Sequence, residues 1–444
     1  MKLRMFRSGL PILIVLLSIA PGARSQITRT SVPLGDAVSK ALEKSSLTGA
    51  NARPFHIRIA VSEPENSQSP YQGTIEEWWA SSDQWRREVT SKGGTRQTIV
   101  VAAGNKTERD EGDYFPLWLR EFVWAAFDPV PDAQAWTAAG MTIDQITLPD
   151  GRKSDACARL QGKIGIGEGA TDAFWNVCFQ GDGLLKFVGS PRYSMGFHDY
   201  RGFGKKQVAR QFVNDPEPGT RLQGSVTILE DESKVKDSDN LFAPLSTDDS
   251  RFSTIPVNAQ QMAALIQDNP PIQWPPVRSG NTHGKLAMYI SVDDKGDVRE
   301  AWPLNSDNAG LEDPARDLVL KWKLKPAVDH DGKPVQVDGG LGFAFDTKIG
   351  DPLPVLNGAD IAKAVSGCLY NPVLPAGLMP SGRSFAIRAS VNEQGKFTGE
   401  TYPGGMSVEV VQKAGLDLHN CRFSPWLVDG KPTYYFIDFV FTAP

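Results

Sequence analysis

Apolar residues recur at every second position in several short segments of the C-terminal half, and segments with helical spacing lie between them. One such segment has the alternating residues Leu286, Met288, Ile290 and Val292. A period of two predicts a β-strand with one buried face, because successive side chains point to opposite sides of a sheet. Asn258 precedes a stripe with helical spacing, and an asparagine side chain can accept a hydrogen bond from a free N–H at the start of a helix. Together these segments predict a small α+β unit with one buried side.

The same pattern recurs 99 residues further along the chain. Asn258 corresponds to Asn357, and the turn glycine Gly296 corresponds to Gly395. Glycine suits such a turn because it adopts a positive φ without steric cost. The C-terminal half therefore predicts two tandem copies of one unit, at 256–349 and 355–444.

Prolines mark the later part of each copy. Trp322 and Cys421 hold equivalent places on the buried face of a predicted helix, and this helix is expected to stop before a proline. The proline is Pro326 in the first copy and Pro425 in the second. After one deletion, a shared turn sequence follows as Gly332-Lys333-Pro334 and as Gly430-Lys431-Pro432. It leads into final strands expected at 335–346 and 432–442.

Residues 26–250 show a different pattern, in which short strands dominate. A helix is expected near 35–46 and another near 115–127, each with apolar residues along one face. The segments 73–79 and 85–89 flank a short polar turn, which predicts an antiparallel hairpin. Helices laid across such a sheet predict a curved half-barrel. The chain is thus expected to be α+β, with an N-terminal antiparallel half-barrel followed by the two small units.

Residues 1–25 have the composition of an export signal. The basic residues Lys2, Arg4 and Arg7 precede an apolar run at 10–20, and small residues follow at a site suited to cleavage. The run is shorter than the roughly 20 residues that span a bilayer. We therefore expect a periplasmic or otherwise exported protein with no transmembrane segment after signal removal. The alternative is an uncleaved N-terminal anchor.

The four cysteines fit an oxidising compartment. Four cysteines allow three pairings, and we favour Cys157 with Cys178 and Cys368 with Cys421 because each pair falls within one predicted unit. Cys421 stands where the first copy has Trp322, so the second bond would join two helices in place of a packed ring. The alternative is four buried thiols.

Neither the charge nor the motifs of the chain indicate a nucleic-acid binder or an enzyme. The 444 residues carry a formal charge of −5 and no basic tract, so no nucleic-acid partner is expected. No two of the five histidines lie within one turn of each other, and the sequence has neither a nucleophile elbow nor a phosphate loop. We therefore expect no catalytic residue, no metal ligand and no cofactor. The alternative is a hydrolase whose residues only the fold brings together.

The two copies resemble the TonB C-terminal domain, a small α+β unit of an envelope energy-transduction protein. In the first copy the resemblance rests on Trp274-Pro275, Gly296, Trp322, Pro326, Gly332-Lys333-Pro334 and Phe343. In the second copy it rests on Gly395, Pro425 and Gly430-Lys431-Pro432. The resemblance gives all of these residues a structural role.

The resemblance also implies binding to other envelope proteins. In that family, an edge strand pairs through its main chain with an extended segment of a partner. The final strands at 335–346 and 432–442 would offer such edges, unless the neighbouring copy or the first domain covers them. The long Pro-rich spacer and uncleaved anchor of a full TonB are not expected here, so neither is force transmission from an inner-membrane motor.

The hairpin followed by a helix in residues 26–250 is similar to the periplasmic LolA-type lipoprotein carrier. That resemblance implies a concave apolar face for a lipid or lipoprotein, with the candidate cavity residues Trp78, Trp79, Trp85 and Trp118. The alternative is that these rings are ordinary core residues. The sequence thus predicts an exported, non-enzymatic envelope protein with strand-edge recognition, linked to TonB-type transport. The alternative function is a periplasmic carrier or sensor of lipophilic ligands.

Overall fold

The computed structural model of the chain describes residues 28–444 except 49–51, 65, 132–139, 149, 218–219, 232–237, 247–249, 267–271, 278–279, 351–352, 368–369, 375, 378, 402–417 and 419–420. The residues of the expected export signal lie outside this range. The described part is a strand-rich α+β fold, which confirms the predicted class. None of the helices in it has the length and apolar character that a membrane crossing requires.

A large antiparallel sheet occupies the first half of the described chain. It is preceded by β1 (Thr28–Pro33), which pairs with β7 (Thr142–Thr147) as a separate ribbon. The sheet contains β2 (Phe55–Ser62), β3 (Gly73–Ser81), β4 (Gln84–Ser91), β5 (Arg96–Ala102), β6 (Asn105–Glu111), β8 (Ala156–Ile164), β9 (Thr171–Phe179), β10 (Leu185–Ser190), β11 (Tyr193–Phe203), β12 (Lys206–Glu217) and β13 (Thr220–Glu230). The strand order is β6-β5-β4-β3-β2-β13-β12-β11-β10-β9-β8.

Two helices bury one face of this sheet. They are α1 (Leu34–Ser45) and α2 (Leu117–Phe127), close to the expected positions. Alternate residues of β2 are buried, as the period of two predicts. Phe55 and Ile59 of this strand share one hydrophobic core with Leu34 of α1 and Phe122 of α2. The predicted hairpin is found as β3 and β4.

The described residues between the large sheet and the second sheet pack against the large sheet. After the short α3 (Ser238–Leu241), Phe252 joins the core of the large sheet. Its N–H donates to the Asp110 carboxylate at 2.7 Å. Only two residues later, β14 (Thr254–Val257) enters the second sheet. The chain therefore passes from one sheet to the next without a free linker in its described residues.

The second sheet has the strand order β14-β18-β15-β16, and β17 also pairs with β18. Its elements are α4 (Ala259–Leu265), β15 (His283–Val292), β16 (Val298–Ser306), α5 (Glu312–Val319), β17 (Ala327–Val328) and β18 (Pro334–Asp346). Asn258 caps α4 as predicted, in a reciprocal pair of hydrogen bonds with Gln261. The helices and the inner sheet face enclose a separate hydrophobic core.

The third sheet has the strand order β19-β26-β21-β22. This part of the chain contains β19 (Val355–Leu356), α6 (Ile361–Ala364), β20 (Val365–Ser366), β21 (Ser384–Val391), β22 (Phe397–Thr401), β23 (Arg422–Phe423), β24 (Trp426–Val428), β25 (Lys431–Thr433) and β26 (Tyr435–Thr442). Its core is again a separate cluster, dominated by aromatic residues of β21 and β26.

The strand pairs of the third sheet repeat those of the second. Leu286 stands opposite Phe343, and the equivalent Phe385 stands opposite Phe441. The first strand of each sheet runs parallel to the last, and an irregularity follows Ser291 in one sheet and Ser390 in the other. The offset is 99 residues before the deletion and 98 after it. The duplicated pattern in the sequence therefore corresponds to a duplicated topology.

Cys157 and Cys178 form the predicted disulfide bond, which joins directly opposed residues of β8 and β9. The second predicted disulfide bond joins Cys368 to Cys421, and Cys368 lies outside the described residues. Its expected partner, Cys421, is half-buried and packs against the third core.

Candidate functional site

The final strands of both copies lie inside their sheets. β18 lies between β14 and β15, and β26 lies between β19 and β21. Further along β26, the Tyr370 hydroxyl donates to the Val440 carbonyl at 2.6 Å. The edges expected to be free at 335–346 and 432–442 are thus covered in part, at 336–339 and 436–437, by a short parallel strand of the same copy.

At the end of each small sheet that lies opposite β14 or β19, the last strand is β16 in the second sheet and β22 in the third. β16 meets the first sheet, since the Asn305 side chain donates to the Asp172 carbonyl of β9 at 3.3 Å. β16 pairs with β15 and β22 pairs with β21, and within the described ranges no strand pairs with the other side of either. β22 is thus an edge with main-chain groups available for pairing.

Arg120 of α2 holds the second sheet against the first. Its guanidinium makes two hydrogen bonds to the Asp338 carboxylate, at 2.5 and 3.0 Å, and one to the Ser291 hydroxyl, at 2.8 Å. The side chains of Arg120 and Asp338 are only 6% and 4% exposed. Burial alone would lower the pKa of Arg120, but the Asp338 carboxylate raises it above its usual value. The pair compensates two charges that would be costly to bury singly.

Glu300 of β16 accepts a hydrogen bond from a main-chain N–H in the first turn of α2. This helix has no side chain of its own that caps its first turn. The Glu300 carboxylate accepts hydrogen bonds from the Leu117 N–H and from the Tyr114 hydroxyl, each at 2.5 Å. A carboxylate there also meets the positive end of the helix dipole. Burial raises the pKa of Glu300, and these donors partly offset that effect.

Glycines allow the two sheets to approach backbone to backbone. A Cβ atom on Gly342 of β18 would lie 2.1 Å from the Gly169 carbonyl oxygen in the β8–β9 loop. A Cβ atom on Gly340 would lie 2.6 Å from the Ile164 side chain. Any larger residue at these two positions would push the loop away. The outer face of the second sheet is therefore shaped to receive the β8–β9 hairpin.

The same face of the third sheet lacks this docking chemistry. Asp338 corresponds to Phe436, Gly342 to Val440, and Glu300 to Gly399. Val440 is 40% exposed, whereas the docked face of the second sheet is largely buried. The two copies share a topology but differ in the groups that hold them to the rest of the molecule.

A cleft of about 350 Å³ opens between β3, β4 and the C-terminal end of α2. Four aromatic rings line it, from Trp79, Trp85, Trp124 and Phe127. The volume falls at the lower end of the range of roughly 300–1,000 Å³ that is usual for ligand pockets. A small apolar group would fit between the rings.

An ion pair lies in the wall of this cleft. Glu77 stands opposite Arg87 in the β3–β4 ladder, next to the opposed pair Trp79 and Trp85. The Arg87 Nε–H donates to the Glu77 carboxylate at 2.5 Å, and the guanidinium lies over the Phe127 ring at 4.1 Å. The Glu77 side chain is 1% exposed and that of Arg87 is 18% exposed. Burial raises the pKa of Glu77, and Arg87 offsets part of that effect.

The structure separates the four tryptophans that the sequence grouped as a cavity. Trp79 and Trp85 line the cleft. Trp78 points to the opposite face of β3, where it stacks on His56 at 5.0 Å between ring centroids. Trp118 is buried in the core and meets Tyr71 edge-on. Sequence reasoning missed Arg87 and its partner, although Glu77 and Trp79 are two residues apart and so share a face of the strand.

The motif residues of the two copies lie in turns and in the small cores. Trp274 and Trp322 pack edge-on against Phe343, with ring centroids 6.5 and 5.7 Å away. Gly296 has a φ of +87°, and a Cβ atom on it would lie 2.1 Å from the Leu324 carbonyl oxygen. Turns, short loops and strand starts hold the remaining motif residues Pro275, Pro326, Gly332, Lys333, Pro334, Gly395, Pro425, Gly430, Lys431 and Pro432. Their positions fit a structural role.

One group of potential metal ligands comes together among the described residues, in the exposed turn Asp329-His330-Asp331. The Asp329 carboxylate accepts the N–H groups of Asp331 and Lys333, at 2.9 Å each. These bonds are those of an ordinary Asx-type turn before β18. The group is therefore explained by the turn that it forms.

A comparison of the chain with protein-family models finds no match, and a comparison with curated proteins finds none either.

Proposed function

We propose that the chain is an exported, non-enzymatic binding protein of the cell envelope. In this proposal, residues 26–250 are a LolA-like half-barrel, and 256–349 and 355–444 are TonB-C-like units. The third sheet recognises an extended segment of a partner protein, which adds to β22 through main-chain hydrogen bonds.

The observation that carries the proposal is that two equivalent strands, β16 and β22, differ in their contacts with the large sheet. β16 lies against the large sheet through Glu300 and Asn305. Both β16 and its counterpart β22 lack a strand partner on the outer side within the described residues, but β22 has Gly399 in the place of Glu300. An edge strand is a template for another strand, so β22 is the better recognition element of the two.

Proline substitutions test main-chain pairing along β22. Neighbouring N–H groups of a strand point to opposite sides, so one of Gly399→Pro and Glu400→Pro removes an outward donor while the other removes one that faces β21. The full-length variant that keeps its thermal stability should lose capture of its envelope partner. Retained capture by that stable variant would contradict the proposal.

Glu393→Pro provides a matched control. Glu393 is the second residue of the turn between β21 and β22, in which the Gly395 N–H donates to the Asn392 carbonyl. Proline is favoured at this position of such a turn. The control places a proline in the same unit but off the edge strand, and it should capture the partner as the unchanged chain does.

A second candidate function is supported by the cleft. Its aromatic lining favours a carrier or sensor of lipophilic ligands. Native mass spectrometry of the full chain should then show a bound small molecule that organic extraction removes. A chain that is empty after purification and also fails to bind any added amphiphile would rule out this function.

A further inference from the structure

The cleft contains a charged group that an apolar carrier does not need. The Arg87 guanidinium donates through Nε to Glu77. Within the described part of the chain, no protein acceptor receives the hydrogens of its two Nη atoms. Arg87 is one of the residues that line the cleft, so its guanidinium borders a space that a ligand can enter.

The guanidinium is held rigidly in place. Glu77 fixes one edge of its plane, and the rings of Phe127 and Trp85 lie 4.1 and 5.2 Å from its central carbon. A planar guanidinium with a free pair of N–H groups matches a carboxylate through two parallel hydrogen bonds. Because the group is already oriented, little side-chain entropy would be lost when a ligand binds.

The unused donors of Arg87 distinguish between ligand head groups. The Phe127 ring, which would attract an organic cation, already carries Arg87 on its face. Two carboxylates also line the cleft, but Glu77 is paired with Arg87 and Asp128 has a partner as well. The groups left for a ligand are therefore the Nη donors of Arg87, which a cationic head group cannot use and a neutral one uses only in part. An anionic head group uses both donors.

The size of the cleft distinguishes between ligand tails. About 350 Å³ is small for a ligand with several acyl chains, and the lining combines Trp79, Trp85 and Trp124 with the Val123 side chain. Such walls favour one acyl chain or one ring system.

We propose that the cleft binds a single-chain amphiphile through a carboxylate held by Arg87, with its apolar tail between Trp79, Trp85 and Trp124. This inference rests on the second proposed function and names its ligand class. It is independent of strand pairing at β22.

A series of head groups on one tail tests the inference. Decanoate, decanol and decyltrimethylammonium are titrated into the full-length protein by calorimetry, below their micelle concentrations. Decanoate should bind at least tenfold more tightly than the other two. Equal binding of acid and alcohol would overturn the assignment to Arg87 while leaving a lipophilic carrier intact, and the absence of binding by all three would remove both.

Variants locate the bound molecule. Arg87→Met alone would leave Glu77 buried without its partner, so the double variant Glu77→Gln/Arg87→Met is used, and it should reduce decanoate affinity to that of decanol. Trp85→Leu should weaken all three ligands several-fold. Trp78→Leu, on the opposite face of the same hairpin, should change none of them. Equal losses in the Trp85 and Trp78 variants would place the ligand elsewhere and overturn the inference.

Discussion

Arg120 and Asp338, 218 residues apart in the chain, form a doubly hydrogen-bonded ion pair in the buried contact between the first and second sheets. Neither side chain is more than 6% exposed. The pair joins α2, whose other end lines the cleft, to the central strand of the first repeated unit. The second sheet thus belongs to one body with the first, whereas the third sheet lacks the equivalent groups.

Asp338→Asn should destabilise the protein strongly. Removal of one partner leaves the Arg120 charge buried and uncompensated, which typically costs about 3–5 kcal/mol. Urea unfolding of the full chain measures the change. The matched control is Asp438→Asn, which breaks the more exposed Arg388 pair of the third sheet and should cost at most about 1 kcal/mol. Similar losses in the two variants would contradict the role given to the buried pair.

Gly342→Ala should loosen the contact between the first two sheets. The new methyl group would lie 2.1 Å from the Gly169 carbonyl oxygen, so the β8–β9 loop must move. Overpacking of this kind costs roughly 1–3 kcal/mol. Hydrogen exchange should increase in the β8–β9 loop and in β18. Gly202→Ala is the control, because its Cβ atom would meet nothing within 4 Å. A stable Gly342→Ala protein with unchanged exchange would show that the close approach does not exist.

His56 should give the protein a pH-dependent stability. Burial lowers the pKa of His56, but hydrogen bonds to Glu76, at 2.8 Å, and to Glu230, at 3.2 Å, outweigh this and raise the pKa above 6.5. The stabilisation is therefore complete below the unfolded pKa near 6.5 and is lost as the pH rises through the folded pKa. His56→Gln should remove this component. The difference in unfolding free energy between the unchanged chain and the variant, measured from pH 6 upward, should shrink as the pH increases. A difference in unfolding free energy that does not change with pH would refute this role of His56.

Loss of the disulfide bond between Cys157 and Cys178 should weaken the loop that docks on the second sheet. The bond spans 21 residues that include Gly165 and Gly169. By loop-closure entropy its contribution is about 3 kcal/mol. Cys157→Ala/Cys178→Ala should lower the unfolding free energy by about that amount under non-reducing conditions. A loss close to zero would indicate that the strand pairing alone holds the loop.

Local chemistry made part of the fold predictable from the sequence. Asn258 caps its helix because its side chain reaches a nearby N–H, and Gly296 is required by the backbone of its own turn. Cys157 and Cys178 meet because they lie on neighbouring strands of one hairpin. In each case the interacting groups are close in sequence.

Contacts between distant segments were not predictable in this way. β19 has only two residues, so no period in the sequence reveals that it covers β26. The alternation of β3 separates Trp78 from Trp79, but only the packing of α2 decides which face becomes the cleft. The sequence around Arg120 does not indicate its contact with Asp338, because that contact depends on how the two sheets pack together.

Site-specific crosslinking at the two equivalent edge strands tests the central claim most directly. A photoreactive residue is placed at Thr401 of β22 in one full-length protein and at the equivalent Trp302 of β16 in another, 99 residues earlier. Both are expressed in cells that normally carry the chain. Crosslinks to a partner protein at position 401, absent at 302 and lost in the stable β22 proline variant, are the predicted result. Crosslinks of equal strength at both positions, or at 302 alone, would contradict the division of roles between the two copies.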